Sequence, residues 1–175
     1  MQEAYRHAVR LKELAPDAAQ TYRLLTRVFL ATKRHDEARE CADRALNMDP
    51  NDGDIIANMG ICHLFDGAFD EATALLDKVL GLHADTPFTI DIMRYWKALN
   101  AFNSRDYEGA LGLLGSITGL AFLKAQLSAA NHARLEHDDL ARENATLVLQ
   151  ARPALRLCDV RLWKSFRNQD DQRHL

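Results

Sequence analysis

Ala4, Ala38 and Ala72 stand 34 residues apart, and Pro16 with Pro50, and Ala8 with Ala42 and Leu76, repeat in the same phase. This period constrains the chain more than any other feature of it. A unit of this length, read as helix, turn, helix, cannot bury its own apolar face, so successive copies must stack and leave one surface of the stack open. The core is then a stripe running along the stack, and each unit touches only its neighbours.

The clearest helix end is ARECADRALNMDP, where Ala38, Ala42, Ala45 and Leu46 mark one face at helical spacing and Pro50 forbids continuation. Ala4, Ala8, Leu11 and Pro16 copy that pattern one period earlier. In the third copy, EATALLDKVLGLHAD, the same places hold Ala72, Leu76 and Val79, with Ala84 where proline would stand. Between these helices lie partners from Ala19 to Lys33, with Tyr22, Leu25, Thr26 and Phe29, and from Asp52 to Gly67, with Ile56, Met59, Gly60 and His63. Small residues at Thr26, Gly60, Ala38 and Ala72 let two helices approach closely.

After the third unit the period slips. Ala110 follows Ala72 by 38 residues, which places an insertion of about four residues in HADTPFT, before a helix from about Ile90 to Asn103. Ala141 follows only 31 residues later, which places a shortening in the turn from Gly115 to Gly119. Ala98 and Ala129 keep the small contacts, and Ala145, Val148 and Pro153 restore the phase. Asp36, Asp70, Asp106 and Asp138 are expected to cap the second helices.

The pattern resembles the tetratricopeptide repeat, in which a large residue, leucine, glycine and an aromatic on the first helix precede alanine, an apolar residue, alanine and proline on the second. The resemblance implies an all-α solenoid of antiparallel helix pairs, about ten helices wound as a right-handed superhelix. It divides residues 1–175 into a half repeat (1–17), repeats of about 18–51, 52–86, 87–117 and 118–153, and a carboxyl-terminal partial repeat (154–175). The amino end falls in a second helix and the carboxyl end in DDQRHL, so a fragment of a longer protein, or an array with an unfinished end, is expected. The stripe bearing Ala4, Ala8 and Leu11 would then be open to end-to-end self-association.

By the geometry of that family the first helices line a concave groove. The implied peptide-binding residues are Gln20, Arg23, Leu24 and Arg27, then Asp54, Ala57, Asn58 and Ile61, then Tyr95, Trp96 and Leu99. Chaperone-binding members of the family grip a terminal carboxylate with lysines, arginines and asparagines, and Arg23 and Asn58 match two of those places. Arg27 stands where asparagine belongs, and Tyr95 and Trp96 stand where a base belongs, so the full clamp is not present. Arg23 and Arg27 are either a basic spot for an acidic or carboxyl-terminal group or a solvated face. Tyr95 and Trp96 either face the groove as an aromatic anchor or fill the core beside the insertion.

Composition excludes other classes. The charges nearly balance, 22 Lys plus Arg against 25 Asp plus Glu, which argues against a nucleic-acid partner. No apolar run approaches a membrane span or a signal peptide, so a cytoplasmic protein is expected. Cys41, Cys62 and Cys158 match neither a disulfide framework nor a zinc knuckle. Cys62 and His63 are adjacent, hence about 100° apart on a helix, and no second ligand pair accompanies them.

His63 and His132 occupy equivalent first-helix positions and are read as flat rings packed against a neighbouring helix. His35, Asp36 and Glu37, like His137, Asp138 and Asp139, are read as solvated turn residues. No phosphate loop, paired carboxylates or nucleophile elbow is visible, so neither catalysis, metal nor cofactor is expected. The expected function is a scaffold that binds a protein or peptide partner in the groove. The tail ALRLCDVRLWKSFRNQDDQRHL offers an alternative: it resembles the segment closing tetratricopeptide arrays in bacterial nucleotide cyclases and winged-helix transcriptional regulators. Leu162, Trp163 and Phe166 are the matching residues, and a covalently linked domain would then be the partner.

Overall fold

The computed structural model describes residues 2–82 and 86–155, apart from the side chains of Gln2, Ala4 and Ala8. Ala84, Cys158, the tail from 156 onward and the stripe formed by Ala4 and Ala8 therefore lie outside what is described. Among the described residues there are nine α-helices, packed as sequential antiparallel pairs. They fall into two compact units.

The first unit contains α1 (Gln2–Leu14), α2 (Ala19–Ala31), α3 (His35–Met48), α4 (Gly53–Asp66) and α5 (Phe69–Gly81). Its core is the stripe of small and apolar residues read from the period. Tyr22, Leu25 and Thr26 of α2 are buried, as are Ala38, Ala42 and Ala45 of α3 and Ala72, Leu76 and Val79 of α5. Each fully buried leucine or isoleucine contributes about 1.5–3 kcal/mol relative to exposure. Helix α4 is central: ten of its fourteen residues are buried, and it packs against α2, α3 and α5. Such a helix must be apolar on all sides, and IIANMGIC is. Gly60 sits at the close approach to α5, where a β-carbon would stand in van der Waals contact, 3.4 Å from both Leu75 Cβ and Leu76 Cγ.

The second unit contains α6 (Pro87–Asn103), α7 (Tyr107–Gly115), α8 (Ala121–Arg134) and α9 (Asp138–Ala151). Here the two slips in the period are resolved. The insertion is absorbed as helix, α6 having 17 residues against 14 in α4 and in α8. It begins at Pro87, earlier than the expected Ile90, with the Thr86 hydroxyl accepting from Thr89 N at 3.1 Å. The shortening is taken from α7, which has only nine residues, and not from the turn that follows.

That turn is tied down from both sides. The buried Asp91 carboxylate accepts from Gly119 N at 2.6 Å and from Thr118 N and Oγ1, Arg94 donates to Ser116 O, and Lys124 donates to Ile117 O. The Gly119 amide, aided by Thr118, holds the Asp91 carboxyl below its ordinary range.

The turns inside the helix pairs share one backbone geometry. Lys33, Gly67, Arg105 and Glu136 all adopt positive φ, 62°, 82°, 68° and 60°, at steps of 34, 38 and 31 residues, the same steps as the alanine anchors. Behind each, the next amide bonds five residues back at 2.9 Å: Arg34 to Phe29, Ala68 to His63, Asp106 to Ala101 and His137 to His132. This is the Schellman motif, which satisfies the last carbonyls of a helix. Only Gly67 is the residue the left-handed conformation favours.

Capping differs from the sequence expectation. Asp106 does cap α7, accepting from Gly109 N at 2.9 Å. Asp36, Asp70 and Asp138 instead lie within the first turns of α3, α5 and α9, whose N-caps, Arg34, Ala68 and His137, make no side-chain cap bond. One or two residues past the N-cap, the three complement the helix dipole from within the first turn. The remaining side-chain cap of the first unit is Asp52, which accepts from Ile55 N at 3.0 Å.

Candidate functional site

The side chains expected to line a groove divide between the two units. In the first unit they come from α2 and α4, which pack against each other. Gln20 Nε2 donates to Asp52 Oδ2 at 2.7 Å, Arg23 Nε donates to Gln20 Oε1, and Arg23 Nη1 lies 3.4 Å from Asp54 Oδ2. Asn58 is buried and its amide donates to the Arg23 carbonyl at 3.3 Å. These contacts lace α2 to α4. They also compensate the charge of Arg23 with Asp54, so the pair Arg23 and Arg27 is not a bare basic spot. Arg27 is exposed, Leu24 is 40% exposed, and Gln20 and Asp54 are exposed, whereas Ala57 and Ile61 are buried.

In the second unit Tyr95 and Leu99 are core residues, 2% and 0% exposed, and burial pushes the Tyr95 hydroxyl well above its ordinary pKa. Trp96 is half-buried, its ring edge-on to Tyr95 with centroids 5.9 Å apart. The open choice between groove and core thus resolves to core for Tyr95, with Trp96 keeping part of its surface.

The histidines are more engaged than their sequence positions suggest. His63 Nε2 lies 2.9 Å from Arg39 Nη1, while Arg39 Nη2 bonds Asp66 Oδ2 and Nη1 also points at Met59 Sδ, 3.4 Å away. Burial first, and then Arg39, depress the His63 pKa. His35, expected in a solvated turn, begins α3 with a side chain only 9% exposed, its Nδ1 4.0 Å from Asp66 Oδ1. The His132 ring stands 5.7 Å from that of His137, and its pKa is lowered by burial and then by that neighbour. Cys62 is buried, which pushes its thiol up to about 12 and keeps it protonated and unreactive. Among the described residues no group of three or more His, Cys, Asp or Glu is placed to hold a metal ion, and no helix is long and apolar enough to cross a membrane.

A family model for the tetratricopeptide repeat matches the stretch that holds α3, α4 and α5. Residues 29–87 match the tetratricopeptide repeat. The fold agrees over a longer stretch. The solved structure titled as the functional characterisation of Pseudomonas aeruginosa PilF aligns with 93% of this chain and 87% of its own at 16% identity, with a TM-score of 0.50. At that identity the likeness concerns fold. No curated protein matches the chain. Tetratricopeptide repeats generally serve as protein-interaction modules and are typically non-catalytic.

Sequence reasoning missed the Arg39, His63 and Asp66 cluster and the Gln20 to Asp54 ladder. A weak signal existed for the first. Arg39 and His63 sit 24 residues apart, one on a second helix and one on the next first helix, where the stacking of consecutive units must bring them together.

Proposed function

We propose that the chain is a protein-interaction module that receives a peptide segment or a neighbouring domain on the α2 and α4 face. The observation that carries this reading is the exposed pair Leu24 and Arg27, one apolar and one cationic, on a face whose other polar groups are paired with each other. Trp96, in the second unit, is proposed as a separate contact residue. A ligand suited to Leu24 and Arg27 offers an apolar side chain beside a carboxylate, which guanidinium recognises by paired hydrogen bonds. Gln20, Arg23, Asp54 and Asn58 hold the two helices in position in this reading, and Ile61 supports them from the core, while Tyr95 and Leu99 belong to the core of the second unit.

The test is binding of the purified chain to an array of acidic and carboxyl-terminal peptides, repeated with Arg27→Ala, Leu24→Ser and Trp96→Ala. Binding that falls at least tenfold for Arg27→Ala with the fold intact supports the assignment. Binding indifferent to all three variants overturns it. The alternative reading, an array that regulates a domain of its own polypeptide, rests on the tail and predicts that the linked domain competes with peptide for Arg27.

A further inference from the structure

The contact between α3 and α4 contains a titratable group, the His63 imidazole. For His63 Nε2 to accept from Arg39 Nη1 at 2.9 Å the imidazole must be neutral, and its Nδ1 also lies 3.5 Å from Arg39 Nη2, so both ring nitrogens face the guanidinium. A proton added at Nε2 converts the acceptor into a donor that faces a guanidinium N–H, so the bond is lost and two cations meet. Arg39 keeps its second contact, to Asp66, which holds the guanidinium in place. The same carboxylate has His35 on its other oxygen at 4.0 Å.

We propose that Arg39, His63 and Asp66 form a proton-sensitive latch between α3 and α4, closed when His63 is neutral and released as it is protonated. The charged groups facing His63 are Arg39 and Asp43 from α3, Asp66 on its own helix and Glu71 from α5. The three acids favour protonation, but burial and Arg39 outweigh them and the pKa falls below 6.5. The unfolded chain therefore binds this proton more readily than the folded one. The stability contributed by the latch is full above the unfolded value and is lost as pH falls through it towards the folded value.

The first measurement follows the histidine ring protons by NMR across about pH 5 to 8, with a short unstructured histidine peptide as reference. His63 is expected to titrate below that peptide, and Arg39→Gln is expected to move it upward. The second compares melting temperatures at about pH 7.5 and 5.5 for the wild type and for His63→Gln, whose amide oxygen still accepts from Arg39 without titrating. The wild type is expected to lose more than the variant, by about 3–5 °C for each tenfold difference in the folding equilibrium. Every other histidine is present in both proteins, so the difference reports on His63. A His63 midpoint at or above that of the peptide, unmoved by Arg39→Gln, or equal losses in the two proteins, would overturn the latch.

Discussion

Gly60 offers a quantitative test of how closely α4 and α5 are held. Its β-carbon position lies 3.4 Å from Leu75 Cβ and from Leu76 Cγ, and 3.5 Å from the Ala72 carbonyl oxygen, at the near edge of ordinary van der Waals contact. Gly60→Ala therefore fits with a crowding cost of a few tenths of a kcal/mol, while the helix interior gains about 1 kcal/mol in propensity. The net expectation is stabilisation of about 0.5 kcal/mol, a rise of roughly 1–2 °C in melting temperature. Gly60→Leu adds three further carbons against a closed wall formed by Leu75, Leu76 and Ala72, and is expected to cost about 1–3 kcal/mol by overpacking. Urea titrations followed by far-UV circular dichroism, with the slope unchanged, read both values. A loss of more than about 1 kcal/mol for the alanine variant would mean that the helices lie closer than 3.4 Å allows. A neutral leucine variant would mean that they are not packed as described.

Three other outcomes are expected. Glu136→Gly should stabilise by about 0.5–1 kcal/mol, because a left-handed residue with a side chain is strained, and Gly67→Ala should lose about 1 kcal/mol for the same reason; the pair is read by thermal melting. Asp106→Ala removes the α7 cap and should cost about 1 kcal/mol, and Gly109→Ala should do similarly, since a β-carbon there would lie 2.0 Å from the Asp106 carboxylate and dislodge it. The Asp91 carboxyl is held below its ordinary value of 3.8, so its contribution is present above that pH and is lost as pH falls through the lower folded value. Asp91→Asn should lower stability at neutral pH and flatten the acid limb of a denaturation curve.

The repeat phase was legible because it is written in residues whose size alone matters: a β-carbon or less at Ala38, Gly60 and Ala72 dictates close packing whatever surrounds them. The position of the slips was less legible. The distance from Ala72 to Ala141 sums helix and turn, so it records how many residues were gained or lost but not that α6 lengthened while α7 shortened. The Schellman turns were hidden for a related reason, as lysine, arginine and glutamate occupy the left-handed position in three of these four turns. At the candidate site, the helical phase put Gln20, Leu24 and Arg27 on an exposed face. It did not reveal that Arg23 is matched by Asp54, or that Tyr95 and Leu99 are interior. Such pairings depend on contacts between α2 and α4, or on packing within the second unit, and no spacing along a single helix encodes them.

The four Schellman turns bear on how such a chain changes length over time. Because the backbone passes from first to second helix by one geometry at Lys33, Gly67, Arg105 and Glu136, these are points where a duplicated or deleted helix pair rejoins without new loop conformations having to be found. Unequal recombination at such seams inherits a working joint, and only the side chains on either side need to adapt. The turns thus act as fixed register marks between which helices are free to grow or shrink.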